Sequence, residues 1–348
     1  VKPRVKIALA GFGWIAERVH LNVFTRLQGC ELVAVGERDA ARLKEASRRA
    51  PQAKPCRDYR ELLSLPEVEA LVICLPNALH AEAAVAALER GKALYLEKPL
   101  AATLEEGGRV LSAWRRSGLA GMIGFNYRFS PLYRRAREVV RSGALGKLLD
   151  VRTVFSSARE TSGERNHPLL DLGSHHIDLL RFIFDGEIEK VLATPPSGGS
   201  EEGSTKVRFQ MDGGLEIQSL FSAPSVDEDR FEIYGERATL RIDRYRSLDA
   251  EVTGPGTRLS WPGRIGRKLR SLATAPHALK RVIFPTWEPS YEEALNHFVE
   301  GLRSGRPLSP DLGEGYKSLA VVSAAEESAR SGKWVRVPES REERFVQR

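Results

Sequence analysis

In the first 125 residues, short and almost wholly apolar runs alternate with helical stretches of about ten residues. Lys6 to Ala10, Glu31 to Val35, Leu71 to Leu75 and Leu94 to Leu96 read as strands, and Ile15 to Leu27, Ala40 to Ala50 and Ala81 to Arg90 read as helices. A strand without polar positions must be covered on both faces. Joined by helices, such strands form a parallel sheet built from βαβ units, and a sheet of that kind binds its ligands beyond the carboxyl ends of its strands.

After about residue 125 the rhythm changes to segments that alternate apolar with polar residues. Asp150 to Ser157, Lys206 to Met211, Leu215 to Phe221, Arg230 to Tyr234 and Ala238 to Ile242 show it, with glycine-bearing turns at 212–214 and 235–237. Alternation predicts an antiparallel meander with one face buried. Helices return at Tyr291 to Arg303 and Gly315 to Ser331, followed by a last short strand at Trp334 to Val337. A chain of 348 residues is long for one core. The expected fold class is therefore α/β followed by α+β: a Rossmann domain over residues 1–125, a domain built on a large open, mostly antiparallel sheet over 126–338, and a solvated tail at 339–348, with the closing helices available to pack back on the first domain.

The first strand runs into Gly11-Phe12-Gly13-Trp14-Ile15-Ala16, a G-x-G-x-x-A turn that opens a helix. Gly11 permits the tight turn, Gly13 lets the backbone approach a pyrophosphate, and Ala16 lets helix and strand pack closely. The helix start offers unpaired N–H groups to that anion. Glu37 closes the second strand, where a carboxylate accepts the ribose hydroxyls of NAD and repels a 2′-phosphate; the adjacent Arg38 keeps NADP open. Two more segments fall at strand ends, Pro76-Asn77 with His80 and Glu97-Lys98-Pro99. A lysine in such a place is a candidate acid or base.

The densest set of chemistry-bearing residues is Asp171-Leu172-Gly173-Ser174-His175-His176-Ile177-Asp178. On a helix Asp171, His175 and Asp178 share one face, which would hold His175 between carboxylates in a state suited to proton transfer. A helix cap with a core histidine is the purely structural alternative. No metal site is expected from so few ligands.

Charge and cysteine content exclude other classes. The net charge of +7 comes from Arg258, Arg264, Arg267, Lys268, Arg270, Lys280 and Arg281, which lie in a stretch from Val252 to Trp287 that has no acid. No aromatic stacking platform accompanies it, so nucleic acid is not an expected partner. Segment 258–281 reads either as the solvated face of an amphipathic helix or as a contact for an anionic membrane surface or a phosphate-bearing ligand. Three widely spaced cysteines indicate neither disulfides nor zinc and point to a reducing, cytoplasmic setting. No apolar run approaches the ~18 residues of a membrane span.

Taken in order, Gly11 to Ala16, Pro76-Asn77 with His80, Glu97-Lys98-Pro99, Asn126-Tyr127-Arg128-Phe129 with Pro131, and Asp171 to Asp178 resemble the glucose-fructose oxidoreductase and inositol dehydrogenase family, Gfo/Idh/MocA. The resemblance implies an NAD-dependent oxidoreductase that moves a hydride to or from a ring carbon of a sugar, nucleotide-sugar or cyclitol. It implies that Lys98 hydrogen-bonds the reacting oxygen, that His175 exchanges the hydroxyl proton, and that Asp171, Tyr127 and Arg128 sit with them on the substrate. It also implies that Pro76, Asn77, His80 and Glu97 line the cofactor pocket, and that the antiparallel sheet makes a homo-oligomer, dimer or tetramer. Two alternatives stay open: a glycosidase or lyase using transient oxidation, and a non-catalytic dinucleotide sensor. The segment 163–170 departs from the glycine-rich run common in the family, which leaves the substrate itself undefined.

Overall fold

The computed structural model describes residues 3–158, 168–197, 203–223, 225–254 and 288–338. The basic segment 258–281, residues 163–167 and the tail 339–348 lie outside the described residues. The described residues form two compact units, one of residues 3–126 and 291–320, the other of those within 127–254 together with 288–290 and 321–338.

The first unit contains a six-stranded, wholly parallel sheet of β1 (Val5–Ala10), β2 (Cys30–Gly36), β3 (Lys54–Cys56), β4 (Ala70–Ile73), β5 (Ala93–Leu96) and β6 (Gly121–Ile123), in the order β3-β2-β1-β4-β5-β6. The order reverses between β1 and β4, and that reversal opens a crevice at the carboxyl ends of the strands. Its helices are α1 (Leu21–Phe24), α2 (Ala40–Arg49), α3 (Tyr59–Leu63), α4 (Asn77–Glu89) and α5 (Leu104–Ser117). Ile7, Leu9, Leu71, Val72, Ile73, Leu94 and Leu96 have no exposed surface, as strands covered on both faces require. Local chemistry sets the helix starts: Asp39 caps α2 by accepting from Arg42 N at 2.8 Å, and Asp58 with Glu61 forms a reciprocal capping box on α3.

In the second unit α6 (Pro131–Arg141) and α7 (Ser174–Phe184) accompany an eight-stranded sheet of β7 (Leu148–Ser156), β8 (Ile188–Ala193), β9 (Gly203–Met211), β10 (Glu216–Ala223), β11 (Glu228–Gly235), β12 (Thr239–Asp243), β13 (Glu251–Thr253) and β14 (Val335–Arg336). Its order is β13-β12-β11-β7-β10-β9-β8-β14. The expected meander is interrupted at its centre. Strand β7 is inserted between β10 and β11 and pairs in parallel with β10, from Ile217 opposite Val151 to Ser222 opposite Ser156. Successive hairpins cannot produce that arrangement, and alternation within each strand carries no information about which strand becomes its neighbour. The alternation does identify the faces, since Val207, Phe209, Ile217, Phe221, Phe231, Ile233, Leu240 and Ile242 are all buried.

Two closing helices complete the fold, α8 (Ser290–Ser304) and α9 (Leu312–Ser331), and α9 is divided between the units after Ala320. In the first unit Tyr95 meets Phe298 of α8 edge-on, with ring centroids 5.5 Å apart. In the second, Ser328 of α9 donates to Lys333 O at 2.6 Å and accepts from Ala193 N at 2.9 Å, which ties the helix end to β8.

The turn after β1 is the tightest point of the first unit. Gly11 has φ +91°, and a Cβ there would stand 2.6 Å from the Cys74 carbonyl oxygen. Gly11→Ala is therefore expected to destabilise the protein by about 1–3 kcal/mol from backbone strain alone, with the clash in addition. Urea unfolding of the variant against the parent checks this.

Candidate active site

Each motif of the first unit lies at a carboxyl end of the parallel sheet. The chain leaves β1 through Gly11 and Gly13, makes a π-helical turn at Ala16–His20 and continues as α1. A Cβ added at Gly13 would meet no atom within 4 Å, so the backbone there is open to a ligand. Trp14 is exposed, Ile15 is half-buried and Ala16 is fully buried against the sheet. Glu37, half-buried after β2, accepts from Phe12 N at 2.7 Å and from Asp39 N at 2.9 Å. These bonds hold the carboxylate in place beside the glycine turn, and each oxygen keeps acceptor capacity for a ribose hydroxyl. Arg38 is exposed and lines a depression of about 250 Å³ with Lys44, Ser47 and Arg57. An open glycine backbone, a helix start and an anchored carboxylate together fit a dinucleotide.

Pro76 is exposed and Asn77 half-buried at the start of α4. His80, fully enclosed on the same helix, has Nδ1 2.7 Å from Pro99 O and Nε2 2.8 Å from Leu75 O, so one imidazole spans the loops that follow β4 and β5. Burial holds its pKa below the ordinary histidine value, and a neutral ring donates to one of the two carbonyls. Glu97 is buried, and Lys98 beside it is half-buried. Glu97 Oε1 accepts from Nε2 of His20 at 2.7 Å, and a Cβ on Gly124 would come within 2.9 Å of Glu97 Oε2. His20 was not among the residues the sequence singled out. Its signal was a polar residue on the buried side of the helix that follows the glycine turn.

In the second unit the motif from Asp171 to Asp178 starts in another π-helical turn, Leu169–Gly173, and continues as α7. Such turns re-aim side chains relative to a regular helix. Asp171 is half-buried within the turn, and His175 is 7 % exposed at the start of α7. The buried Tyr127 stacks on His175, ring centroids 4.4 Å apart and planes at 21°. Asp178, expected from its spacing to flank His175, has both oxygens engaged by Arg128, at 2.9 Å from Nε and 2.6 Å from Nη2. The Arg128 guanidinium, expected at the substrate, makes that bidentate pair through Nε and Nη2.

Behind this surface lies a polar cluster that the sequence did not reveal. Asp229 on β11 is fully buried; its Oδ1 accepts from Tyr133 Oη at 2.7 Å and His176 Nε2 at 3.0 Å, and its Oδ2 accepts from Arg244 Nε at 2.8 Å. His176 itself is stacked on Phe155 with centroids 4.8 Å apart. Burial alone would raise the pKa of Asp229, but the hydrogen bond and charge of His176, with Arg244 and Tyr133, outweigh it and hold the carboxyl below its ordinary value. Among the described residues no group of three or more His, Cys, Asp or Glu could hold a metal, and no helix is long and apolar enough to cross a membrane.

A parallel sheet with an open glycine turn at its switch point, joined in one chain to a large mixed sheet, defines a dinucleotide-binding oxidoreductase architecture. Residues 5–125 match the family model for the GFO_IDH_MocA oxidoreductases, with their NAD-binding Rossmann fold, and residues 133–241 match the C-terminal domain of the same family. The chain belongs to the GFO/IDH/MocA oxidoreductase family. It is similar to inositol 2-dehydrogenase of Acidothermus cellulolyticus, 27% identical over 336 residues covering 94% of this chain and 93% of that one. It is also similar to D-apiose dehydrogenase of Paraburkholderia graminis, 28% identical over 353 residues covering 95% and 89%. A solved levoglucosan dehydrogenase in complex with NADH and L-sorbose shares the fold with a TM-score of 0.82 at 21% identity, covering 97% of this chain and all (100%) of that one.

Removing the charge of Asp229 tests how firmly the cluster is built. Asp229→Asn is expected to cost about 3–5 kcal/mol, as loss of one partner from a buried ion pair does. Because the folded carboxyl titrates below the ordinary 3.8, its contribution is complete above that pH and disappears as pH falls through the lower folded value. Urea midpoints of parent and variant should differ most near neutrality and converge in acid.

Proposed function

We propose that this protein is an NAD-dependent dehydrogenase acting on a secondary hydroxyl of a sugar, nucleotide-sugar or cyclitol, with Lys98 and His175 handling the hydroxyl proton. The observation that carries this reading is the joint match of both family domains, 5–125 and 133–241, to a chain that has Lys98 at the end of β5 and His175 at the start of α7. The relatives named for inositol and D-apiose, and the fold neighbour holding L-sorbose, support a polyhydroxylated sugar or cyclitol as substrate.

The bound nicotinamide supplies the hydride acceptor or donor. Gly11, Gly13 and the helix start at Trp14 and Ile15 hold the pyrophosphate, and Glu37 holds the adenosine ribose. Asn77, His80 and Glu97 shape the loops that receive the nicotinamide end. Lys98 hydrogen-bonds the reacting oxygen and stabilises the charge that develops on it. His175 takes the proton from the hydroxyl on oxidation and returns it on reduction, and Asp171 orients the ring substituents. Tyr127 supports His175 through its stack. Arg128, expected at the substrate, also fixes Asp178, and so the course of α7. The polar outer face of the second unit's sheet, with Arg152, Arg208, Gln218 and Arg241, is the surface through which a homo-oligomer would assemble.

Lys98→Ala and His175→Ala are each expected to lower kcat by about two or more orders of magnitude, the scale of lost acid–base catalysis, while NADH binding measured by fluorescence persists. Collapse of NADH affinity with turnover intact at saturation would reassign both residues to the cofactor. For the coenzyme itself, catalytic efficiency with NAD should exceed that with NADP, and Glu37→Ser should narrow the gap, since the carboxylate repels a 2′-phosphate that Arg38, Lys44 and Arg57 would otherwise attract. Steady-state kinetics with both coenzymes decide it.

A further inference from the structure

The candidate proton-transfer residue His175 rests on a ring that is itself held from behind. The guanidinium carbon of Arg244 lies 4.7 Å from the centre of the Tyr127 ring, the same ring that stacks on His175 at 4.4 Å. Arg244 has little freedom to move. Its Nε donates to Asp229 Oδ2 at 2.8 Å, its Nη2 donates to the Tyr245 hydroxyl at 2.9 Å, and its Nη1 stands 3.5 Å from Glu288 Oε2. Asp229 is fixed in turn by Tyr133 and His176, the residue that follows His175 on α7. A chain of contacts thus leads from a carboxylate shut off from water, through a planar cation, to the aromatic ring under His175.

We propose that Arg244 is a positioning residue for the reaction: anchored on Asp229, its guanidinium holds Tyr127 in the stack that sets the plane of the His175 imidazole. The proposal rests on the reading of His175 as the proton-handling group. An arginine suits the task where a lysine would not. Its flat, delocalised cation lies against an aromatic ring and keeps its hydrogen bonds at the edge, whereas an ammonium offers a point charge with no plane. An imidazole fixed in plane and tilt presents its nitrogen to one place, and rate falls steeply when a reacting group is displaced.

Arg244→Lys preserves a positive charge for Asp229 but removes the planar contact with Tyr127. It is expected to keep the parent's unfolding midpoint and NADH affinity, and to leave KM for the hydroxyl substrate unchanged. Its kcat should fall about ten- to a hundredfold, the scale on which misplaced groups lose rate. In protein carrying 15N-labelled histidine, the His175 ring resonances, assigned by their loss in His175→Asn, should shift in Arg244→Lys and in Tyr127→Leu. The double variant Arg244→Lys/Tyr127→Leu should be no worse in kcat than Tyr127→Leu alone, since the influence passes through that ring. Should Arg244→Lys fail to fold, Arg244→Met/Asp229→Asn removes charge and countercharge together and carries the same comparison. His175 resonances that stay at their parent positions in the arginine variant, or losses that multiply in the double variant, would overturn the proposal. The resonance shift is independent of whether His175 is catalytic. If His175→Asn turns over normally while the shift is present, the functional reading fails and the coupling stands.

Discussion

A carboxylate sealed from water has to be neutralised by its neighbours, and in the second unit that requirement at Asp229 determines much else. An ionised group buried alone is prohibitively costly, whereas one that accepts three hydrogen bonds and faces a guanidinium is sustained. Tyr133 from α6, His176 from α7 and Arg244 beyond β12 all converge on Asp229 from β11. Their convergence fixes two helices against the centre of the sheet. It also places aromatic side chains on both sides of the Asp171-to-Asp178 motif: Tyr127 against His175, and Phe155 with Phe231 against His176. Tyr133, His176 and Asp229 have no exposed surface, whereas His175 keeps 7 %, so a fully enclosed network underlies the start of α7.

The first unit solves a different problem by different means. A parallel sheet covered on both faces has only its carboxyl edge left for a ligand, and the sites on that edge are spaced by backbone geometry more than by side-chain networks. The open backbone at Gly13 and the positive φ of Gly11 form the cradle, and His80 joins two of the loops around it. Both units depart from regular helix at the motifs that matter most. The π-helical turns at Ala16–His20 and Leu169–Gly173 follow the glycine turn and precede His175, respectively. Extra residues in a helical turn change the direction of every side chain around them, which is a way to aim His20 at Glu97 and to seat Asp171 close to α7.

Much of this was legible beforehand. Largely apolar runs marked the parallel sheet because strands covered on both faces hold few polar residues, and alternation marked the second sheet because one face is wet. The glycine turn, Glu37 and the residues after β4 and β5 stood out because the chemistry of a strand end is local. Asp229 escaped because it lies just before the alternating run from Arg230 to Tyr234, although Asp229, Phe231 and Ile233 share one period-two face and an acid there has to find partners. Arg244 and Tyr133 were invisible for another reason: they are 15 and 96 residues from the carboxylate they serve, and no spacing rule connects them.

Side-chain period and turn chemistry act over a few residues, so the sequence by itself determined the class of each sheet, the dinucleotide turn and the segments that carry Lys98 and His175. Strand neighbours depend on interactions between segments far apart in the chain. Only the tertiary structure therefore decided that β7 divides β10 from β11, that Asp178 pairs with Arg128, and that Asp229 anchors the arginine beneath Tyr127. A buried charge selects its partners from whatever the fold brings within hydrogen-bonding distance, and that choice is made in space, after the local rules have been satisfied.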